Sequence, residues 1–257
     1  MDPDKVVELA LTAGETMMAC GAETYRVEDT MRRILASQDF EAAEVFAATP
    51  GVFASCKTRG ESPVTGIKRV NAFSTDFAKI IKVNEISRRF TGGEISRPEA
   101  AALLAEARKT PHFPRLLRIP ALGAASFCFA YLTGGTLADS LNALITGVII
   151  QFFLVFTQRL RLPGVLTNIA AGLMISAGVL ITLNLGLGHN LDKAVIGALT
   201  PLLPGLPLTN AVRDFISGDL LSGTSRMMDA VLTAVALAAG VGAVMELWLG
   251  LFGGFVI

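Results

Sequence analysis

The chain has few of the residues that build metal, disulfide and nucleotide sites. Its three cysteines, Cys20, Cys56 and Cys128, lie far apart and form no CxxC pair, and its two histidines are also far apart. This spacing predicts neither a zinc site nor a disulfide framework. The sequence contains no GxxxxGK[ST] loop, which argues against a nucleotide-driven pump. We therefore expect no metal, no cofactor and no catalytic residue.

Charged residues are scarce in the second half of the chain. Only 5 Lys/Arg and 6 Asp/Glu lie after Arg118, out of 22 of each sign in 257 residues. Together with a mean hydropathy of +0.55, this distribution predicts a polar domain followed by a membrane domain. The charges of the polar half nearly cancel and form no basic, aromatic-interleaved patch, so we expect no nucleic-acid partner. The first residues carry acids before any apolar run, which predicts no signal peptide.

Residues 1–114 are predicted to form a small α+β domain, because the spacing of apolar residues changes along them. Two helices come first, three short strands rich in β-branched and aromatic residues follow, and two further helices close the domain. The predicted bounds are 3–20, 24–37, 43–48, 52–58, 64–70, 76–90 and 96–109.

Residues 115–257 are predicted to form a transmembrane domain of five apolar spans, each near the length that a bilayer needs. Lys and Arg concentrate in the loops after spans two and four, which places the N-terminal domain in the cytoplasm and the C-terminus outside. The fold class is thus an α-helical integral membrane protein with five transmembrane helices, one of them discontinuous, and an N-terminal cytosolic α+β domain. The predicted spans are about 119–137, 141–157, 165–187, 194–217 and 230–256.

The fourth span is interrupted by three prolines and a glycine between Pro201 and Pro207. A broken helix in lipid survives where it is buried in protein or lines a cavity, and such breaks often mark a transporter's binding site. We predict that Pro204 and Gly205 lie near the midplane and that Thr209 caps a second half-helix, whose positive end attracts a carboxylate. Asn210 completes this predicted substrate site. The alternative is a proline kink without a ligand.

Four other polar residues of the membrane half have two interpretations each. Asp214, beside Arg213, either carries a coupling proton or forms an ion pair with that arginine. Glu246 is either a coupling acid or an interfacial residue next to Trp248. Asn168, early in the third span, either binds substrate or holds helices together.

Two segments resemble one known family. PLLPGLPLTNAVRDFISGDLLSG, from Pro201, resembles the core motif of the threonine/serine exporter family, and GAETYRVEDTMRRI, at Gly21–Ile34, resembles its N-terminal segment. The resemblance covers nearly the whole chain and implies a cytosolic domain followed by five spans. Glu23, Arg26 and Glu28 belong to the N-terminal motif. They form either a gate at the cytoplasmic mouth of the pore or a solvated helix start with local ion pairs.

The resemblance also implies a partner. Full-length family members carry a second membrane half, so this chain resembles the larger subunit of the split form, which works with a small multi-span membrane protein in a hetero-oligomer of the bacterial inner membrane. The implied function is proton-driven export of small carboxylate-bearing solutes, threonine and serine or a succinate-type dicarboxylate. The alternative is a membrane-anchored cytosolic domain, regulatory or enzymatic, whose spans only anchor it.

Overall fold

The computed structural model describes residues 2–109, 115–160 and 162–252. These residues divide into two compact units, Met1–His112 with Gly205–Met228, and Phe113–Pro204 with Asp229–Ile257. The helices of the first unit are α1 (Pro3–Ala19), α2 (Thr24–Ala36), α3 (Phe77–Thr91), α4 (Arg97–Lys109) and α9 (Gly205–Ile216), and its strands are β1 (Ala42–Ala48), β2 (Gly51–Lys57) and β3 (Val64–Arg69). The helices of the second unit are α5 (Arg115–Leu132), α6 (Leu137–Leu160), α7 (Gly164–Asn184) and α8 (Leu191–Leu199) with a 3-10 turn at Thr200–Leu202. The last helix, α10 (Leu220–Phe252), begins in the first unit and continues in the second.

The first unit contains an antiparallel sheet in the order β1-β2-β3, with one face packed on α1. The inward residues of the central strand, Val52, Ala54 and Cys56, are buried with the apolar face of α1. Gly66 of β3 permits this packing, because a Cβ there would lie 2.6 Å from the Leu11 side chain. The strands and the four N-terminal helices lie where the apolar spacing predicted them. Residues 110–114, which include the predicted domain boundary, lie outside the described residues.

The first unit is larger than the predicted N-terminal domain, since it also includes residues 205–228. The prediction assigned those residues to the fourth span and the loop after it. Residue spacing describes segments one by one and cannot show that α9 packs with the N-terminal helices. The structure therefore divides the chain differently from a single cut near residue 114.

The second unit packs helices closely through small residues, as membrane helices do. A Cβ on Gly172 of α7 would lie 2.3 Å from the Leu237 carbonyl of α10, and one on Gly240 would lie 2.2 Å from the Ile169 carbonyl of α7. Gly197 of α8 approaches Ala130 of α5 in the same way. At these glycines the helix backbones approach closely because no side chain lies between them.

Asp139 joins the start of α6 to the segment before α8. Its side chain is completely buried and accepts five hydrogen bonds. Thr136 donates through its amide and hydroxyl, His189 through its amide, and Asn190 through its amide and side chain. The reciprocal bond from the Asp139 amide to the Thr136 hydroxyl completes a capping box at this helix end.

Within the described residues, three helices are long and apolar enough to cross a membrane: Leu137–Thr157, Gly164–Asn184 and Leu220–Phe252. A fourth candidate combines Leu191–Leu202 with Gly205–Ile216, broken where the prolines predicted it. The first predicted span extended to residue 137, but α5 ends at Leu132, because Gly134 has φ +90° and the capping box opens α6. Its apolar part, Leu117–Leu132, is shorter than the other candidates. Residues 253–256 of the last predicted span lie outside the described residues.

Candidate functional site

Within the first unit, α9 and the start of α10 contact the turn between α1 and α2. Gly21 ends α1 with φ +87°, and backbone groups of Gly21, Ala22 and Thr24 bond side chains of α9 and α10. The Asn210 side chain donates to the Gly21 carbonyl at 2.8 Å, and Arg226 Nη2 donates to the Ala22 carbonyl at 2.8 Å. The Thr24 amide donates to Asp214 Oδ1 at 3.2 Å. The two recognised motifs therefore meet at one place in the fold.

Asp214 pairs with Arg226 inside this contact. Asp214 is completely buried, the Arg226 side chain is 10% exposed, and Arg226 Nε lies 3.1 Å from Asp214 Oδ2. These two atoms lack the angle of a hydrogen bond, so the attraction between them is mainly one of charge. An ion pair with Arg213, one of the two interpretations of Asp214, is therefore wrong. Neighbouring residues on a helix point about 100° apart, and only Asp214 shares the inward face with Asn210.

Arg213 instead binds Glu23, which is 8% exposed. Arg213 Nη1 donates to Glu23 Oε1, and Arg26 Nε lies 3.7 Å from Glu23 Oε2. Both arginine side chains remain more than half exposed. A buried carboxylate is thus flanked by two accessible guanidinium groups.

These side chains line a cleft of about 330 Å³ between the α1–α2 turn, α3 and α9. Its polar lining consists of Glu23, Arg26, Thr209, Asn210 and Arg213. Its apolar lining is Phe77, Ile80 and Leu206. Five of the residues predicted from two distant sequence segments are therefore brought together around a single cavity.

Thr209 lies in this cleft but does not cap the half-helix. The helix α9 begins four residues earlier, at Gly205, and the Thr209 hydroxyl donates to the Gly205 carbonyl at 2.9 Å. Proline suits the first turn of a helix, where an amide hydrogen would be unpaired anyway, so Pro207 does not delay the start. The predicted N-cap is wrong for this reason. Pro204 directly precedes the first residue of α9.

The remaining predicted site residues lie elsewhere. Glu28 binds the Ala47 amide at 2.9 Å and Arg32 at 3.5 Å, and so links α2 to β1 rather than lining the same cleft. In the second unit, the Asn168 side chain reaches the Thr233 hydroxyl at 3.5 Å, an interhelical contact between α7 and α10. Glu246 is exposed on α10 and has neither a hydrogen bond nor an ion pair among the described residues.

Arg226 is the residue that sequence reasoning missed. In the sequence it is only one of the positive charges that place the loop after span four in the cytoplasm. The available signal was its position in a mostly apolar helix of 33 residues, where a charged side chain usually needs a partner. The sequence did not identify that partner, because Asp214 lies on a different helix.

Asp219 lies at the turn between α9 and α10 and is half-buried. Burial raises the pKa of its carboxyl, and the negative charges of Glu28 and Asp214 raise it further. Three carboxylates, those of Asp219, Glu28 and Asp214, therefore lie close together near the start of α10. Protonation of Asp219 lowers the repulsion among them.

A family model described as "Putative threonine/serine exporter" matches residues 8–248. The chain belongs to the threonine/serine exporter family. Among curated proteins it is 25% identical to a "Probable threonine/serine exporter" of Mycobacterium tuberculosis over 92% of this chain and 45% of that protein. It is 24% identical to a "Threonine/serine exporter" of Corynebacterium glutamicum over 94% of this chain and 51% of that protein.

An uncharacterised Schizosaccharomyces pombe protein is also similar, with 25% identity over 93% of this chain and 29% of the yeast protein. No solved structure matches the chain. The chain spans about half the length of the two bacterial exporters that it matches. Membership of an exporter family and the long apolar helices together make it a membrane protein.

Proposed function

We propose that the chain is a subunit of a secondary-active exporter of small carboxylate-bearing solutes, driven by the proton gradient. The observation that carries the proposal is the 330 Å³ cleft, which joins polar residues of both family motifs in a member of an exporter family. Its substrates are threonine and serine, as the names of the bacterial relatives suggest, or a succinate-type dicarboxylate.

The chemistry of the cleft suits a carboxylate. Two guanidinium groups, those of Arg26 and Arg213, share one acidic partner, Glu23, so the lining carries an excess of positive charge. Guanidinium groups bind carboxylates through paired hydrogen bonds. A substrate carboxylate that displaces Glu23 from Arg213 also loosens α9 from the α1–α2 turn, which couples binding to a change in this contact.

We place substrate entry at the cytoplasmic end of the pathway rather than at the midplane. The helix α9 belongs to the same compact unit as the polar N-terminal residues, which supports this placement. One face of α9 carries the buried Asn210 and Asp214, while Leu208, Val212 and Ile216 form an exposed apolar stripe suited to lipid. In this proposal the N-terminal domain lies in the cytoplasm of a bacterium, α9 at the inner membrane, and the C-terminus outside.

We further propose that export requires a small multi-span membrane protein in a hetero-oligomer with this chain. The support is the coverage of the relatives, since 45% and 51% of the two bacterial exporters align with it. Proton coupling through Asp214 belongs to the same proposal.

A second candidate function is a membrane-anchored regulatory domain. The observation that favours it is that Asn210 and Asp214 bind backbone groups of their own fold. A structural contact alone accounts for those two residues. A structural contact does not, however, explain why Arg26 and Arg213 of the cleft remain exposed.

The test is export from cells loaded with threonine or succinate, with the chain expressed alone and with its partner. Arg213→Gln removes a substrate contact but leaves the buried Asp214 pair intact. We expect roughly ten- to a hundredfold weaker apparent affinity, since a lost hydrogen bond to a charged group costs about 1.5 to 3 kcal/mol. Leu208→Ala, on the exposed stripe, is the control. If Arg213→Gln and Arg26→Gln both export like the parent at matched membrane levels, the cleft is not the substrate site. If neither threonine nor succinate is exported by the chain, alone or with its partner, the anchored-domain function replaces the exporter.

A further inference from the structure

The outer face of the sheet carries an apolar row that no part of the described chain covers. Phe46, Phe53 and Ile67 are direct neighbours across β1, β2 and β3, and they are 51%, 36% and 64% exposed. The two phenylalanine rings lie 5.8 Å apart. Because alternate residues of a strand point to opposite faces, all three project away from α1. An exposed apolar row at the centre of a sheet face is typical of an interaction site.

Two opposite charges flank this row on a diagonal. Glu44 lies two residues before Phe46 on β1, in the register of Ser55 and Thr65. Arg69 lies two residues after Ile67 on β3, in the register of Gly51. Both are exposed, and neither forms an ion pair within the part of the chain that the structure describes. Phe53 lies midway between them.

We propose that this sheet face binds the same face of a second copy of the chain. Consider a two-fold axis that lies parallel to the sheet, passes over Phe53 and is perpendicular to the Glu44–Arg69 diagonal. This axis stacks the two faces and places each Glu44 opposite the partner's Arg69. The face is thus self-complementary in charge, as a two-fold interface requires. Its apolar centre and polar rim match the anatomy of protein interfaces.

A lipid surface is the weaker explanation of this face. Segments that bind anionic membranes carry an excess of Lys and Arg. Here one acid, Glu44, balances one base, Arg69, and the nearby Lys57 is already paired with Glu41 at 3.2 Å. The face therefore has no net charge to attract anionic headgroups.

The size of the face predicts a weak contact. Three strands about 4.8 Å apart and six residues long cover about 14 by 20 Å, or about 300 Å² per copy. Stable soluble dimers bury more than that, so we expect association mainly in the membrane, where confinement raises the effective concentration.

The test uses the full chain in membrane vesicles, with Cys128→Ser removing the exposed cysteine. Phe53→Cys should form a crosslinked dimer with a short bifunctional thiol reagent, because the axis places the two copies of this position opposite each other across sheets about 10 Å apart. Glu44→Cys and Arg69→Cys should crosslink with each other when coexpressed, and each should crosslink far less with itself. Glu85→Cys, exposed on α3, is the control that should remain monomeric.

Charge reversal provides a second readout. Glu44→Arg or Arg69→Glu alone should lower the Phe53→Cys crosslink about fivefold, and the double reversal should restore it. Failure of the double variant to recover overturns the proposal. If the cysteine at position 53 is protected from a water-soluble maleimide but does not crosslink, lipid covers the face and the proposal is wrong. Reaction with maleimide and no crosslink shows a free surface, which also refutes it.

Discussion

Asp214 of the first unit and Asp139 of the second are both completely buried, but their surroundings differ. Asp139 accepts five hydrogen bonds from neutral donors, three of them backbone amides. Asp214 accepts one backbone amide, and its other oxygen faces Arg226 at 3.1 Å without hydrogen-bond geometry. The hydrogen-bonding capacity of the Asp139 carboxylate is therefore satisfied, whereas the buried charge of Asp214 is balanced mainly by one cation, Arg226.

This difference separates a structural carboxylate from one that can change partners. The fully bonded Asp139 has a single favourable arrangement, so it fixes the segment before α8. Asp214 could exchange its charge partner if Arg226 moved, and its backbone contact with Thr24 ties any such change to the α1–α2 turn. This property is what the proposed coupling role of Asp214 requires.

Arg226→Ala should produce the largest effect of the variants considered, because it leaves Asp214 buried without a cation. Removal of one partner of a buried ion pair costs about 3 to 5 kcal/mol. We expect a marked loss of stability, measured as the melting temperature of the detergent-solubilised chain. Arg213→Ala is the matched control, since that arginine is more than half exposed and its ion pair contributes at most about 1 kcal/mol. Equal melting of Arg226→Ala and the parent would show that the buried pair does not stabilise the unit.

Asp139→Ala should follow, with a loss of about 3 kcal/mol, on the order of two charge-assisted hydrogen bonds. The amides of His189 and Asn190 would remain in place without their acceptor. Asp139→Asn should cost less, since its carbonyl oxygen can still accept from both amides. The comparison variant is Asp192→Ala, an exposed acid paired with Lys193. The melting temperatures of the three variants distinguish these effects. Equal losses of stability for Asp139→Ala and Asp192→Ala would show that the five hydrogen bonds of Asp139 do not stabilise the fold.

Asp219→Asn tests the excess of negative charge near Asp214. Because the pKa of Asp219 is raised in the folded chain, its protonated form fits the fold better than its ionised form. The stabilisation is therefore present below the unfolded pKa and is lost as the pH rises through the folded pKa. Asp219→Asn should raise the melting temperature at pH 7 and leave it unchanged near pH 3. A rise of the same size at both pH values would contradict this explanation, and Glu61→Gln, exposed in the β2–β3 turn, is the control.

Thr209→Val should have the smallest effect. Its hydroxyl bonds the Gly205 carbonyl within the helix, a local contact of little net value. A true N-cap would cost about 1 kcal/mol when lost. Ser96→Ala at the start of α4, where the Ser96 hydroxyl accepts from the Glu99 amide, is the comparison that should show the larger loss. If Thr209→Val destabilises the chain as much as Ser96→Ala does, Thr209 has a capping role after all.

Local patterns predicted much of the fold. The helices and strands of the N-terminal residues follow from the periodicity of apolar residues. The break before Gly205 follows from the prolines, since these residues cannot continue a helix in the usual way. Asn210 and Asp214 share a helix face because they are four residues apart. The match to the threonine/serine exporter family was also visible in two short motifs.

The partners of the polar side chains could not be predicted from sequence. Glu23 and Arg213 are 190 residues apart in the chain, and so are Thr24 and Asp214. No local spacing encodes such a contact, because it depends on how α9 packs against the α1–α2 turn. The neighbouring Arg213 was the only partner for Asp214 that sequence proximity offered, and it points to a different side of the helix.

The sequence by itself thus determined which segments are helical, which are apolar enough for a membrane, and where the fourth apolar segment breaks. These properties depend on residues a few positions apart. Tertiary structure decided that residues 205–228 belong with the N-terminal residues, that Arg226 is the partner of Asp214, and that five polar residues line one cleft. Those outcomes depend on packing between helices that are distant in the chain, where burial makes each unpaired charge costly and so selects the partners.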